Sequence, residues 1–178
     1  MTTDDLKKVL EEHKKWIEDK NGTRAVLSNA DLHSADLSNA DLRYANLRSA
    51  DLCGADFDET KADFWTIGLR LACPEEGNFV GYKKAADKIV VLEIPADAKR
   101  SSATTLKCRC DKAKVLRIEN LDGTPADISE IASDYDENFI YKIGEIVEVS
   151  NFDENRWNEC STGIHFFLNR QNAENWEK

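Results

Sequence analysis

The chain has 178 residues, 41% of them hydrophobic and 33% charged, with a formal net charge of −10. This length holds a repeat module plus a second domain of about 100 residues, and the hydrophobic share supports a folded core, which excludes global disorder. The acidic balance makes nucleic acid and anionic membrane unfavourable partners, because the net field of the chain repels both.

In chain order, "MTTDDLKKVLEEHKKWIEDK" carries neither the apolar centre nor the small-residue cleavage site of a signal segment. No apolar run approaches the ~18 residues of a membrane span. The spacing predicts one amphipathic helix over residues 3 to 20, capped by Thr3, with Asp4 and Asp5 at the positive end of the dipole and Asn21-Gly22 as the stop. Leu6, Val9, Leu10, His13, Trp16 and Ile17 fall on one face. That face is expected to cover the open end of a repeat stack that begins at Ala25.

From Ala25 to Glu59 an apolar residue returns every five positions, as Leu27, Leu32, Leu37, Leu42, Leu47, Leu52 and Phe57, and an alanine keeps the same beat two places earlier. A period of five suits neither a helix nor a flat strand. On a helix successive leucines would drift by roughly 140°, and on a strand they would alternate faces. They share one interior only if the chain turns a corner in every repeat. A further "ADF" at 62–64 is out of phase, so the regular register is expected to end near Thr60.

The tandem A-[D/N]-L-x-x resembles the pentapeptide-repeat proteins. The resemblance implies a short right-handed quadrilateral β-helix of about two turns, with the leucines, Phe57 and the alanines pointing inward. Residues 20 apart would then stack, Leu32 on Leu52, Leu37 on Phe57, Asp31 on Asp51 and Asp36 on Asp56. Like-charged columns of this kind cost stability unless hydrogen bonds in the turns or solvent relieve them.

Beyond residue 64 the texture changes. "GYKKAADKIVVLEIP" reads as two strands around Ala85-Ala86-Asp87, the second spanning Lys88 to Ile94. "ADAKRSSATTLKCRC" reads as a loop entering a strand. "KAKVLRIENLDG" sets Val115, Arg117 and Glu119 against Leu116 and Ile118, and "ENFIYKIGEIVEV" holds two strands separated by Gly144. "GIHFFLN" is a last short strand, after which Asn169 caps a final helix. Strands in hairpin order with one closing helix predict a small antiparallel α+β domain. The expected division is a capping helix at 1–22, the repeat at 23–64, a linker at 65–80 and the α+β domain at 81–178. "IPADAKRSSAT", "KCRCDKAKVL", "FIYKIGEIVEV" and "NRWNECSTGIHFF" resemble the C-terminal domain of unknown function in bacterial and tailed-phage proteins that begin with pentapeptide repeats. That resemblance implies no catalytic residues.

Charge is segregated in this half. Between Lys83 and Arg117 ten basic residues face four acidic ones, whereas between Leu121 and Cys160 eleven acidic residues face two basic ones. The two surfaces either pair or face solvent, or the basic one forms a pocket for an anion from Lys83, Lys84, Lys99, Arg100, Arg109 and Arg117, with Tyr82 or Trp157 stacking a base. "AKRSSATT" is the best anion candidate, since Lys99 and Arg100 precede Ser101, Ser102, Thr104 and Thr105, although it lacks the glycines of a phosphate loop. Arg156, Trp157 and His165 are further candidates. Cys108, Cys110, Cys160 and His165 contain the ligand types of a zinc site, but the C-x-C bite is awkward, and buried or inert thiols are the expectation. Five cysteines without a disulfide rhythm suggest a reducing, cytoplasmic setting.

No catalytic motif occurs, and no cofactor is expected. The reading is a non-enzymatic interaction protein whose C-terminal domain is the working surface, with a host protein as partner if the chain is phage-encoded. The alternative is a binder of a small anion such as a nucleotide. Homo-oligomers stay open. DNA mimicry is disfavoured by a stub of about two turns, roughly 10 Å tall, and by Arg43 and Arg48 on its surface.

Overall fold

The computed structural model describes residues 1–63, 65–69 and 71–176, so Phe64 of the out-of-phase "ADF" lies outside the described residues. The chain forms two compact units. One is Met1–Leu71 with Ala103–Thr105 and Arg156–Cys160, and the other is Ala72–Ser102 with Leu106–Asn155 and Ser161–Lys178.

The first unit opens with α1, Thr3–Ile17. Its cap is Thr2, one residue earlier than expected. The Thr2 hydroxyl accepts from the Asp5 backbone N–H at 3.2 Å and donates to the Asp5 carboxylate at 2.6 Å, a reciprocal closure that Thr3 cannot make from inside the helix. The helix also stops three residues short of 20, because Asp19 and Asn21 adopt left-handed φ of 56° and 57°. Gly22 comes next for a steric reason. A Cβ there would lie 2.1 Å from the Glu12 carbonyl oxygen and 2.4 Å from the Trp16 backbone nitrogen.

The period of five has a direct cause in the backbone, which turns back once in each step. The N–H of Ala30 donates to the Leu27 carbonyl, that of Ala35 to Leu32, that of Ala40 to Leu37, and so on to Thr60 and Phe57. The residue before each of these donors has positive φ, namely Asn29, Ser34, Asn39, Tyr44, Ser49, Gly54 and Glu59. A bonded turn with positive φ at its third position is a type II turn. Four such corners bring the chain back beside itself, and parallel bridges pair Val26 with Asn46, Asp31 with Asp51, Asp36 with Asp56 and Asp41 with Lys61. A fifth bridge pairs Asn46 with Ile67, so the stacking continues past Thr60 with one extra residue taken up on the way. Leu27, Leu32, Leu37, Leu42, Leu47 and Leu52 are buried, with Phe57 and Leu69 half-buried beside them.

The carboxylate columns are relieved inside their own turns. Asp31, Asp36, Asp41, Asp51 and Asp56 each accept from the N–H two residues on, at 2.9–3.3 Å, and Asn46 does the same. This Asx geometry is why Asp or Asn recurs before each leucine.

The second unit is built on a seven-stranded antiparallel sheet. Its strands are β1 Phe79–Ala85, β2 Lys88–Ile94, β3 Arg100–Ser102, β4 Lys107–Cys110, β5 Lys112–Asn120, β8 Ile146–Glu148 and β9 Ile164–Phe167, in the order β3-β4-β9-β1-β2-β5-β8. β6, Glu130–Ala132, and β7, Ile140–Lys142, form a separate pair. The order departs from simple hairpins: β9 inserts between β4 and β1, and β7 and β8, although joined at Gly144, pair with different partners. One face carries Val90, Leu92, Cys108, Cys110, Val115, Val147, Ile164 and Phe166, packed with Tyr141 of β7. The other carries Ile89, Val91 and Phe167 beneath Ala173 of α2, Arg170–Glu174, which Asn169 caps.

The alternation expected for β5 breaks at one point. Val90 pairs with Ile118 and Leu92 with Val115, while the register shifts between Val91 and Leu92. The extra residue is Leu116. This bulge puts Val115 and Ile118 on the same face despite their odd spacing.

Candidate functional site

The structure distributes the proposed anion-binding side chains over different tasks. Arg100 spends its guanidinium on the chain itself, donating to the carbonyls of Pro74, Gly77, Pro95, Ala96 and Ala98 at 2.8–3.2 Å, with Phe79 beneath it at 5.1 Å. Arg109 is 1% exposed. It donates to the carbonyls of Asp153 (3.0 Å), Thr162 (2.7 Å) and Asn155 (3.0 Å) and lies over the Phe152 ring. Both arginines are fasteners for irregular backbone, a task that suits the planar fork of guanidinium and that a lysine cannot copy. Lys99 is exposed and pairs with Glu154, and Arg117 pairs with Glu119 at 2.7 Å. Lys83 and Lys84 point to opposite faces of β1, the first buried over Tyr141 and the second reaching the Glu174 carbonyl at 2.9 Å. No single basic cleft assembles from these residues.

Ser101, Arg109 and His165 are brought together, one behind another across β3, β4 and β9. The Ser101 hydroxyl and His165 Nε2 are buried without a hydrogen-bond partner among the described residues. Burial, with Lys107, Lys83 and Arg109 adding to it, pushes the His165 pKa down to about 3, so the imidazole is neutral. Phe166 and Ile164 face the other way, as alternation requires.

That same alternation disperses the zinc candidates. Cys108 and Cys110 pair with Phe166 and Ile164 and point into the opposite core from His165. Burial raises the Cys110 thiol far above its ordinary range, and Cys160 is an exposed residue of the first unit. Among the described residues, no three His, Cys, Asp or Glu side chains converge as metal ligands.

Arg156 and Trp157 belong to the first unit, where they close the second coil. Trp157 stacks on Phe57 at 4.2 Å and 14°, and Arg156 lies over Trp157 and donates to the Ala103 carbonyl at 3.3 Å. Thr104 completes the floor: its carbonyl accepts from the Ser49 N–H at 3.1 Å and its hydroxyl donates to the Ala50 carbonyl. The hydroxyl-rich "SSATT" stretch therefore serves partly as a substitute coil edge.

Two features escaped the sequence reading. One is the outer edge of β8, where Ile146 is 64% exposed between Glu145 and Glu148. The other is a groove of about 350 Å³ in the first unit, lined by Trp16, Ile17, Asp19, Arg43 and Tyr44. Its one sequence signal is Tyr44, an aromatic residue in the corner position that Asn, Ser or Gly holds in most other repeats.

No helix among the described residues is long and apolar enough to cross a membrane. No curated protein and no solved structure matches the chain. Two family models do. The model of a family described as pentapeptide repeats (8 copies) matches residues 23–58, and that of a family of unknown function, DUF5758, matches residues 69–173. The second match covers more than half of the sequence, so the chain belongs to the DUF5758 family, as a member in which a pentapeptide-repeat segment precedes the matched domain.

Proposed function

We propose that this is a non-enzymatic, cytoplasmic interaction protein, in which the repeats form a right-handed four-sided coil serving as a stem and the C-terminal sheet offers the working edge. The observation that carries this reading is the open edge at β8. The Val115 N–H donates to the Glu145 carbonyl at 2.9 Å and the Val149 N–H to the Asp111 carbonyl at 2.8 Å. The odd-numbered residues of this stretch thus face β5, and Ile146 and Glu148 turn their backbone groups outward. Ile146 is exposed beside them, and Ile140 and Ile143 are also solvent-facing, at 41% and 40%. A strand whose outer side pairs with no other strand among the described residues, with an apolar side chain and flanking carboxylates, suits an extended partner segment that adds a strand and brings basic residues. A host protein is the corresponding partner for a phage-encoded chain. The anion-binding alternative is the weaker reading, because the guanidinium groups it needs already hold backbone carbonyls.

The test places a photo-crosslinking amino acid at Ile146 in the expressed chain, with a control at Val80. Recovery of one discrete protein from the Ile146 position, lost when Glu145 and Glu148 are reversed to lysine, supports the edge. Identical crosslinking from both positions overturns it.

A further inference from the structure

The groove in the first unit combines features that together point to a ligand class. Trp16, at the end of α1, and Tyr44, at a corner of the first coil, stand at 70° to each other with centroids 6.1 Å apart. Both rings reach solvent, at 37% and 43% exposure. Trp16 is propped by the buried His13 ring, stacked at 5.6 Å and 14°. The charges of the groove are unequal in availability. Arg43 is already held by Asp41 through two contacts of 2.9 and 2.7 Å. The Asp19 carboxylate pairs with no cation among the described residues, and its φ of 56° sets it just past the helix end.

Tyr44 supplies an independent observation. It holds φ +66° in a corner where the other repeats mostly use Asn, Ser or Gly, so a bulky side chain is kept at a position that disfavours it. The side chain carried at this strained position is one wall of the groove, against Trp16, which directs the search for a role to the groove. Tyr44 is not in the repeat core, and its ring meets Trp16 in the groove.

We propose that this groove binds a small organic cation of the trimethylammonium type, with Trp16 and Tyr44 as the two aromatic walls and Asp19 as the counter-charge. Two steeply inclined π-faces attract a diffuse cation that is cheap to desolvate, whereas a compact ammonium holds its water more strongly. A volume of about 350 Å³ lies at the lower end of small-molecule sites. The site is independent of the β8 edge, and either can fail alone.

The experiment titrates the full chain with choline, monitored by calorimetry and by tryptophan fluorescence, with 3,3-dimethylbutanol as the uncharged isostere. Choline is expected to saturate, with the isostere about tenfold weaker. Asp19→Asn is expected to weaken choline several-fold. Tyr44→Asn, which suits the corner better than tyrosine, is expected to abolish binding while the melting temperature holds or rises. Equal binding of choline and the isostere overturns the proposal, as does unchanged choline affinity in Tyr44→Asn. A choline titration with no saturable signal also overturns it. Binding to phosphatidylcholine vesicles without binding to free choline transfers the site to lipid and equally overturns a small solute as the ligand.

Discussion

His13 offers the sharpest test of how the first coil is closed. It is fully buried, and the Ala25 backbone N–H donates to its Nδ1 at 3.1 Å, while Nε2 lies 3.1 Å from the Arg43 carbonyl. A backbone N–H can only donate, so Nδ1 is the acceptor and the ring is neutral with its proton on Nε2. His13→Phe keeps the ring against Trp16 but strips both bonds. An orphaned buried polar group costs about 1–3 kcal/mol, so leaving the Ala25 N–H and the Arg43 carbonyl both unpaired should destabilise the fold by roughly 2–6 kcal/mol. Burial also holds the His13 pKa below the ordinary histidine value of 6.5. Below pH 6.5 the unfolded chain therefore binds a proton that the folded chain refuses. Stability from this group is complete above pH 6.5 and falls with acidification until the lowered folded pKa is reached, at no more than about 1.4 kcal/mol per pH unit. The assay is urea denaturation of both proteins between pH 8 and 4.5. His165, which is displaced in the same direction, cancels in the difference. The gap between wild type and His13→Phe should be widest above pH 6.5 and shrink below it. A gap that stays constant across the range would refute the neutral-acceptor assignment.

Three further outcomes are expected from other parts of the molecule. Glu59→Asn places a residue that tolerates left-handed φ at the last full corner, where Glu59 sits at φ 50°, and should raise stability by about 0.5–1 kcal/mol in chemical denaturation. Arg109→Lys keeps the charge but loses the fork that holds three carbonyls. It should cost at least ~2 kcal/mol and speed amide exchange at residues 150–155 and 161–163, and unchanged exchange there would count against a fastening role. Trp157→Ala removes the stack on Phe57 and should lower stability by roughly 2–3 kcal/mol, below the ~3–5 kcal/mol of buried aromatic deletions because Trp157 is only half-buried.

The repeat was legible because its period is a direct image of its geometry, one left-handed corner per five residues. Helix α1 was legible from its apolar face, but its cap was placed one residue late, since Thr2 and Thr3 are equivalent until Asp5 selects between them. Most strands of the second unit are legible as local runs, β2 to the residue, but β3, Arg100–Ser102, lies in a stretch that reads as a loop, and β6, Glu130–Ala132, leaves no strand signal. The strand order is not legible, because β9 enters the sheet between β4 and β1 through pairings some 55 to 85 residues apart along the chain that leave no local trace. The Leu116 bulge was hidden for a related reason: a regular alternation in sequence says nothing about a partner strand that skips a residue. Arg100, Arg109 and Trp157 have the chemistry of ligand contacts, and only the folded chain shows which carbonyls and which ring they meet. Tyr44 was the one site residue with a readable signal, as an outlier in a repeating column.

The floor of the repeat coil has a consequence for synthesis. Thr104 and Trp157 lie about 50 and 100 residues downstream of the backbone and ring they cover, Ser49, Ala50 and Phe57. A ribosome delivers the repeat early, yet the second coil keeps an open lower edge until residue 157 has emerged, which at about 5–20 residues per second is a delay of several seconds or more. During that interval its leucines and unpaired carbonyls are available to any other chain nearby. The nascent repeat is thus a dependent of its own C-terminus, and a transcript cut short after the repeats would leave an adhesive fragment in place of a small finished domain.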